Sequence, residues 1–280
     1  MDLTSAKTIK ELLYEYDARA SKGLGQNFLV DKNTLQKIVD AADLKSTDVV
    51  LEIGPGIGTL TKELAQRVKK VIAIEKDRKM LGILQKTLKE FKNVEIISGD
   101  ALKTDFSFLK EYKIVANLPY YIASPVIRRF LEIEKQPEMM ILMVQKEVGQ
   151  RICAKPPDMS LLAVSVQFYA DPKIISYVSN GCFWPSPKVD SAIIKIVPKK
   201  RLEEVSPDLF FKVVKAGFSH KRKQLVNNLT TLKLTNGVKL DKDKISSWLL
   251  ENNTKPNQRA ETISVADWIG LVKSFFEINN

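Results

Sequence analysis

Histidine is almost missing from this chain. Its 280 residues include one, His220, so a catalytic triad with a histidine base, or a histidine-rich metal centre, has almost nothing to be made from. Cysteine is nearly as scarce. Cys153 and Cys182 stand far apart and form no C-x-x-C pair, which points away from a disulfide framework and from a structural zinc site. No apolar run approaches the roughly 18–20 residues of a membrane-crossing helix. The opening MDLTSAKTIKELLYEYDARASK contains no apolar stretch as long as a secretory signal needs. Internal repeats and low-complexity tracts are lacking as well. The expectation is a cytoplasmic protein with no metal and no membrane association.

Positive charge, by contrast, is in excess. Forty-four Lys and Arg oppose 33 Asp and Glu, a formal net charge of +11. A surface that basic suits a polyanion, most simply nucleic acid. The length fits one large domain and one small one.

Apolar runs alternate with amphipathic ones after about residue 30. DKNTLQKIVDAADL places Leu35, Ile38, Val39 and Ala42 on one helical face, with Asp31 able to cap it. DVVLEI reads as a buried strand, TLTKELAQRVKK as a helix through Leu60, Leu64 and Val68, and VIAIE as the next strand. DRKMLGILQKTLKEF is the next helix, followed by the strands VEIIS and KIVAN, the helix SPVIRRFLEIE and the strand MMILMVQ. This β-α-β-α rhythm with short connections predicts an α/β fold with a parallel, doubly wound sheet, Rossmann-like in kind. LLAVSVQFYA and SAIIKIVP are expected to add later strands, antiparallel at an edge. Composition shifts at PKKRLEEVSP, residues 198–207. Beyond it only helical patterns follow: DLFFKVVKAGF, KRKQLVNNLTTL, DKISSWLLEN and VADWIGLVKSFFEI. The expected division is therefore a Rossmann-like domain over residues 1–200 and a small all-helical domain over 201–280.

LEIGPGIGTL falls at a strand-to-helix turn. Gly54, Gly56 and Gly58 let a ligand approach the backbone closely, and the helix that follows aims free N–H groups at it. The spacing is G-x-G-x-G rather than the G-x-G-x-x-G of pyrophosphate-binding folds. Glu75 ends the next strand, about 20 residues on, where a carboxylate can accept both hydroxyls of a ribose. Asp100 in SGDA ends the third strand and can accept from an adenine amino group. Three such groups at one sheet edge suit a nucleoside with a short charged tail better than a dinucleotide, and S-adenosylmethionine is such a molecule.

The fourth strand delivers Asn117-Leu118-Pro119-Tyr120 to the same edge. An exocyclic amine on a nucleobase is a poor nucleophile because its lone pair is delocalised into the ring. The Asn117 amide oxygen can accept one N–H and the Leu118 carbonyl the other, since Pro119 forces residue 118 into an extended conformation. Tyr120 can then stack on the base. Positioning of this kind can supply much of a reaction rate without a strong general base. GCFWPSPKVDSAI, residues 181–193, offers Phe183 as a second wall for the base, with Trp184 packing behind it in a loop stiffened by Pro185 and Pro187.

These motifs together resemble the ribosomal RNA adenine dimethyltransferase family. The likeness begins at GLGQNFLVD (residues 23–31) and runs through EIGPGIGTLT, IAIEKD, SGDA, NLPYYIASP, CFWPSPKVDSA, FSHKRKQLVNNL and RAETISVADW, nearly the whole chain in the family's order. The resemblance implies S-adenosylmethionine-dependent dimethylation of the N6 amino groups of two adjacent adenosines. These lie in the 3′-terminal hairpin of 16S rRNA and are modified during small-subunit assembly. It implies Asn27 and Leu29 as further cofactor contacts beside Gly54, Glu75, Asp100 and Asn117, and a substrate presented within an immature small subunit. A monomer is the default expectation. Relatives that modify large-subunit RNA tend to carry Asn-Ile-Pro-Tyr; the Asn-Leu-Pro-Tyr here favours the small-subunit branch. One stretch departs from the family. Met159-Ser160-Leu161-Leu162-Ala163 replaces a Tyr-Gly-x-Leu-Ser pattern, so an altered loop over the active site is expected. For the RNA, Lys221, Arg222 and Lys223 of HKRKQL are the candidate phosphate contacts, with Lys199-Lys200-Arg201 near in sequence.

Overall fold

The computed structural model describes residues 1–21, 23, 25–200, 205–232 and 241–279, with side chains as far as residue 275. Leu24 and Arg201, which the sequence motifs above include, lie outside the described residues. The chain divides into two compact units. One holds Met1–Gln150 and Ala170–Pro198; the other holds Arg151–Tyr169 and Lys199–Asn280.

The first unit opens with helix α1 (Ala6–Glu15), the short strand β1 (Phe28–Leu29) and helix α2 (Lys32–Ala41). Asp31 caps α2 as its spacing predicts, accepting from Thr34 N–H at 2.7 Å. Leu35, Ile38, Val39 and Ala42 are buried on its inner face, each of the larger ones contributing about 1.5–3 kcal/mol of apolar burial. Then come β2 (Val49–Ile53), α3 (Thr59–Ala65), β3 (Lys70–Glu75), α4 (Arg78–Thr87), β4 (Val94–Ser98), β5 (Lys113–Asn117), α5 (Ala123–Glu132), β6 (Met139–Gln145) and α6 (Lys146–Ile152). After an excursion into the second unit the chain returns as β7 (Ala170–Val178), β8 (Phe183–Trp184) and β9 (Ser191–Pro198). Seven strands form one sheet in the order β4-β3-β2-β5-β6-β9-β7, while β1 and β8 pair antiparallel by themselves. The pairings from β4 through β6 are parallel, and β9 runs antiparallel to both β6 and β7. The order reverses between β2 and β5, the switch point where such sheets open a crevice beyond their carboxyl ends.

At the opposite edge Lys113 starts β5. It is 3% exposed and donates to Asp48 at 2.8 Å and to the carbonyl of Asp43 at 2.6 Å. Burial alone would raise the Asp48 carboxyl, but Lys113 and the backbone of Lys45 hold it below its ordinary range. The pair ties the foot of the sheet to the turn after α2.

In the second unit α7 (Leu161–Tyr169), α8 (Pro207–Gly217), α9 (Leu225–Leu229), α10 (Lys242–Glu251) and α11 (Val265–Asn279) share one core. Here the structure corrects two expectations. LLAVSVQFYA is not a strand: its first nine residues form α7, and the edge strand β7 begins at Ala170. A short apolar run fits either a buried strand or a buried helix. Tertiary packing decides in favour of the helix, with Phe168 stacked on Phe210 at 4.0 Å and Ala163 and Val164 fully buried. For the same reason residues 151–169 pack with the helical unit, so the division is not a single cut near residue 200. The departing stretch Met159–Ala163 belongs to this unit. Met159 is buried and its N–H bonds the Glu261 carbonyl at 2.9 Å. Ser160 caps the start of α7 by accepting from Ala163 N–H at 3.1 Å.

Candidate active site

Strands β2, β3 and β5 and the turn after β4 carry their chemistry to one carboxyl edge. There a single crevice is lined by the segment from Gly25 to Leu29, the Gly54–Gly56 loop, Glu75 and Lys76, Gly99 to Leu102, and Asn117 to Ile122. Five strands from separate parts of the sequence, β1 to β5, thus bring Asn27, Leu29, Gly54, Gly56, Glu75, Asp100, Asn117, Leu118, Pro119 and Tyr120 together.

The glycines make the floor. Gly54 and Gly56 have φ of +69° and +59°, where a side chain is strained. A Cβ on Gly54 would stand 3.4 Å from the Pro119 ring, and one on Gly56 3.2 Å from the Phe28 ring. Gly58 does something else. It is the N-cap of α3 at φ +90°, and a Cβ there would meet Leu84, Thr87 and Leu88 at 3.2 Å. It does not line the crevice; it lets α4 pack against the loop.

Glu75, 7% exposed, accepts three backbone N–H groups: Gly56 at 3.1 Å on Oε2, and Lys76 and Asp77 at 2.8 Å each on Oε1. Burial pushes its carboxyl above the ordinary range against the pull of those donors. Asp100 goes the other way. The Leu102 N–H at 2.9 Å and the Lys76 ammonium at 3.0 Å hold it below its usual value. Neither is a loose strand-end carboxylate; both are aimed by backbone.

Sequence reasoning missed Glu52. It lies in β2, 2% exposed, on the crevice wall, and burial raises its carboxyl to about 8. Its Oε2 has no hydrogen-bond partner among the described residues. The signal was there: one carboxylate inside the apolar run DVVLEI, two residues before the glycines.

On the other side Asn117 donates through Nδ2 to the Asn27 carbonyl at 3.2 Å. That bond commits the nitrogen and leaves Oδ1 as an acceptor. Asn27 is itself held by its side chain to the Gly25 carbonyl at 3.1 Å, and Gln26 donates to Asp77 at 2.9 Å. The segment thereby spans from Asp77 to the Asn117–Tyr120 turn. Leu118 N–H bonds the Met143 carbonyl at 3.2 Å, fixing the turn to β6. Tyr120 and Ser191 share a hydroxyl hydrogen bond of 2.8 Å, and burial pushes the phenol above its ordinary range.

Phe183 does not reach the crevice. It is 3% exposed, opposite Leu29 in the β1–β8 pair, and packs with Leu35, Val39 and Ile193. Alternation along the strand sends Trp184 to the other face, where it stacks on Phe28 at 6.5 Å. Among the described residues that line the crevice, Phe183 is not the second aromatic wall expected of it.

A sequence profile described as ribosomal RNA adenine dimethylase matches residues 18–271. The chain belongs to that family. A protein of Dehalococcoides mccartyi named ribosomal RNA small subunit methyltransferase A is 45% identical over 265 residues, 92% of this chain and 89% of that one. A protein of the same name from Alkaliphilus metalliredigens is 40% identical over 282 residues, covering 97% of both. Among solved structures, a dimethyladenosine transferase from Plasmodium falciparum superposes with a TM-score of 0.75 at 30% identity, over 89% of this chain and 97% of that one. The 23S rRNA methyltransferase ErmE shares the fold, at a TM-score of 0.72, 24% identity and 88% and 98% coverage. The protein is thus an S-adenosylmethionine-dependent rRNA adenine methyltransferase with a Rossmann-like sheet.

The residues present fit that cofactor. The backbone at Gly54 and Gly56 is bare where a Cβ would be strained, a buried carboxylate at Glu75 can accept hydroxyls, and the Glu52 carboxyl has an oxygen without a hydrogen-bond partner among the described residues.

Lys221, Arg222 and Lys223 lie in a turn before α9 rather than on a helix, all exposed. Asn228 explains the difference: its amide donates to the carbonyls of Gly217 at 2.6 Å and His220 at 3.0 Å, pinning the chain into a loop. Among the described residues no helix is long and apolar enough to cross a membrane.

Proposed function

We propose that this protein dimethylates the N6 amino groups of two adjacent adenosines in the 3′-terminal hairpin of 16S rRNA. The substrate is an immature small subunit, and the enzyme acts as a cytoplasmic monomer. Bound in the crevice, S-adenosylmethionine supplies a methyl group on an electrophilic sulfonium. Gly54 and Gly56 give the ligand access to the backbone, Glu75 accepts ribose hydroxyls, and Asp100, kept ionised, accepts from the adenine amino group of the cofactor. The Asn117 oxygen and the Leu118 carbonyl accept the two N–H bonds of the target amine, and Tyr120 stacks on its ring. The amine lone pair then points along the line of attack. Neither acceptor takes a proton at neutral pH, so the group acts by orientation, and the methylated ammonium afterwards gives its proton to solvent water. Stacking of about 1–3 kcal/mol offsets the few kcal/mol of extruding the base.

The observation that carries this reading is the Asn117 bond to the Asn27 carbonyl, which orients a neutral acceptor beside the glycine loop. Incubation of unmethylated small subunits with labelled cofactor, followed by mass spectrometry of the RNA, tests it. Label on two adjacent adenosines near the 3′ end is expected. Label on large-subunit RNA alone, or none, rejects the proposal.

Lys221, Arg222 and Lys223 are proposed to grip rRNA phosphates. Changing all three to alanine should flatten the slope of log affinity against log salt by roughly one unit for each phosphate no longer neutralised. An unchanged slope removes that role.

A further inference from the structure

Four aromatic side chains are exposed among the described residues: Tyr14, Phe108, Tyr121 and Tyr177. Tyr14 lies on α1, and Phe108 lies at the foot of the sheet in a groove with Lys113. Tyr121 follows Tyr120 directly. Tyr177, half-exposed, lies on the edge strand β7 and has no part in the methyl-transfer arrangement above.

A short series of neighbours connects Tyr177 to the target side of the crevice. Tyr120 bonds Ser191 through its hydroxyl at 2.8 Å. Ser191 pairs with Val178 of β7 and Gln145 of β6, so the Tyr177 backbone stands one residue and one strand away, about 5 Å laterally and about 3.3 Å along; its side chain, with that of its partner Ala192, points to the other sheet face, the one on which Lys146 begins α6. Asp190, the neighbour of Ser191, faces the Lys146 ammonium at 3.7 Å, and its backbone carbonyl accepts from Lys146 N–H at 2.9 Å. The Lys146 ammonium in turn lies 5.3 Å from the centre of the Tyr177 ring. A cation and a half-exposed ring thus stand together, fixed by backbone to the same short segment that holds Tyr120.

Neither interaction holds the ammonium firmly. The ion pair to Asp190 is long, and both side chains are more than 40% exposed; such surface pairs contribute ~0–1 kcal/mol. A phosphate can therefore take the ammonium at little cost. A half-exposed tyrosine is a sequence-tolerant platform for a base, as single-strand-binding surfaces use.

We propose that Tyr177 and Lys146 hold the nucleotide next to the target adenosine: its base stacks on the Tyr177 ring and its phosphate pairs with the Lys146 ammonium. The inference rests on the rRNA methyl-transfer reading and names a second point of attachment for the same substrate. With one flanking nucleotide clamped, the strand leading into the crevice has its direction set before the base is extruded.

The test uses unmethylated small subunits and four variants, Tyr177→Leu, Tyr177→Phe, Lys146→Gln and Lys146→Arg. Tyr177→Leu should raise KM for the subunit by roughly 5- to 100-fold, the range expected for removing one base stack, while its affinity for S-adenosylmethionine alone stays at the wild-type value. Tyr177→Phe, which keeps the ring, should restore KM. Lys146→Gln should reduce the slope of log affinity against log salt by about one unit, and Lys146→Arg should not. The inference is overturned if Tyr177→Leu leaves KM unchanged, if the leucine and phenylalanine variants are equally impaired, or if the salt slope ignores Lys146. A wild-type enzyme that places no methyl on the small-subunit RNA refutes the underlying reading, and this inference with it. A wild-type enzyme that methylates while the variants match it refutes the inference alone.

Discussion

Glu75 and Asn117 end strands β3 and β5, which flank β2 at one sheet edge, yet they are held in contrasting ways. Glu75 is a buried carboxylate fastened by three backbone N–H groups. Asn117 is a half-buried carboxamide fastened by one bond through its nitrogen, with its oxygen left over. The contrast follows what each half has to hold. The cofactor half gathers buried acidic groups, Glu52 and Glu75, on the wall that faces a ligand bearing hydroxyls. The target half presents neutral acceptors to a neutral amine. A carboxylate there would attract cations and water and could itself be protonated; an amide oxygen orients the amine without competing for its proton.

The largest test of this contrast is at Glu52. With its carboxyl raised to about 8 from an ordinary 4.5, the folded protein keeps a proton that the unfolded chain has released across that window. The unfolding free energy therefore declines as pH rises through it, by an amount on the order of a few kcal/mol. Glu52→Gln should flatten that decline in melts at about pH 5.5 and about pH 8.5; a variant as pH-dependent as the wild type would show that Glu52 carries no such cost.

Next comes Asn117→Ala. Methyl transfer in a single turnover should fall roughly 10²-fold, the scale of a small misplacement of reacting groups. Cofactor affinity by calorimetry should change far less, and wild-type turnover would take the amide out of the chemistry. Glu75→Gln should do the reverse. It weakens cofactor binding roughly tenfold to a hundredfold, the range of one charge-assisted hydrogen bond, with a smaller effect on the rate at saturation. If both variants damage binding and rate alike, the two halves are not separable.

The smallest effect divides the glycines. Gly56→Ala and Gly58→Ala each place a side chain at positive φ and should cost about 1–2 kcal/mol of stability, read as a lowered Tm. Only Gly56→Ala should also weaken the cofactor, because only Gly56 lines the crevice. Equal loss of affinity in both would return Gly58 to the binding loop.

Periodicity made the sheet legible. Because each pattern carries its own period, β2 to β6 and their helices stand where alternating apolar runs and the Asp31 cap predicted, except that α3 stops at Ala65, short of Val68. The same reasoning failed at Leu161–Tyr169, where nine apolar-rich residues have no period to separate helix from strand. It failed again at Lys221–Lys223, where Asn228, several residues on, overrides local helix preference. Phe183 was misplaced because a motif names a residue but not the face its strand will turn to the core.

What the amino-acid order determined by itself was the chemistry at each strand end: bare glycines, then Glu75, Asp100 and the Asn117–Tyr120 turn, each readable from a few adjacent residues. Which groups meet, and in what state, was decided by tertiary structure alone. The Asn27 carbonyl that orients Asn117, the withdrawal of Phe183 into the core and the meeting of Lys146 with Tyr177 all join residues distant in the chain. Hydrogen-bond geometry and desolvation act across space, and no local pattern records them.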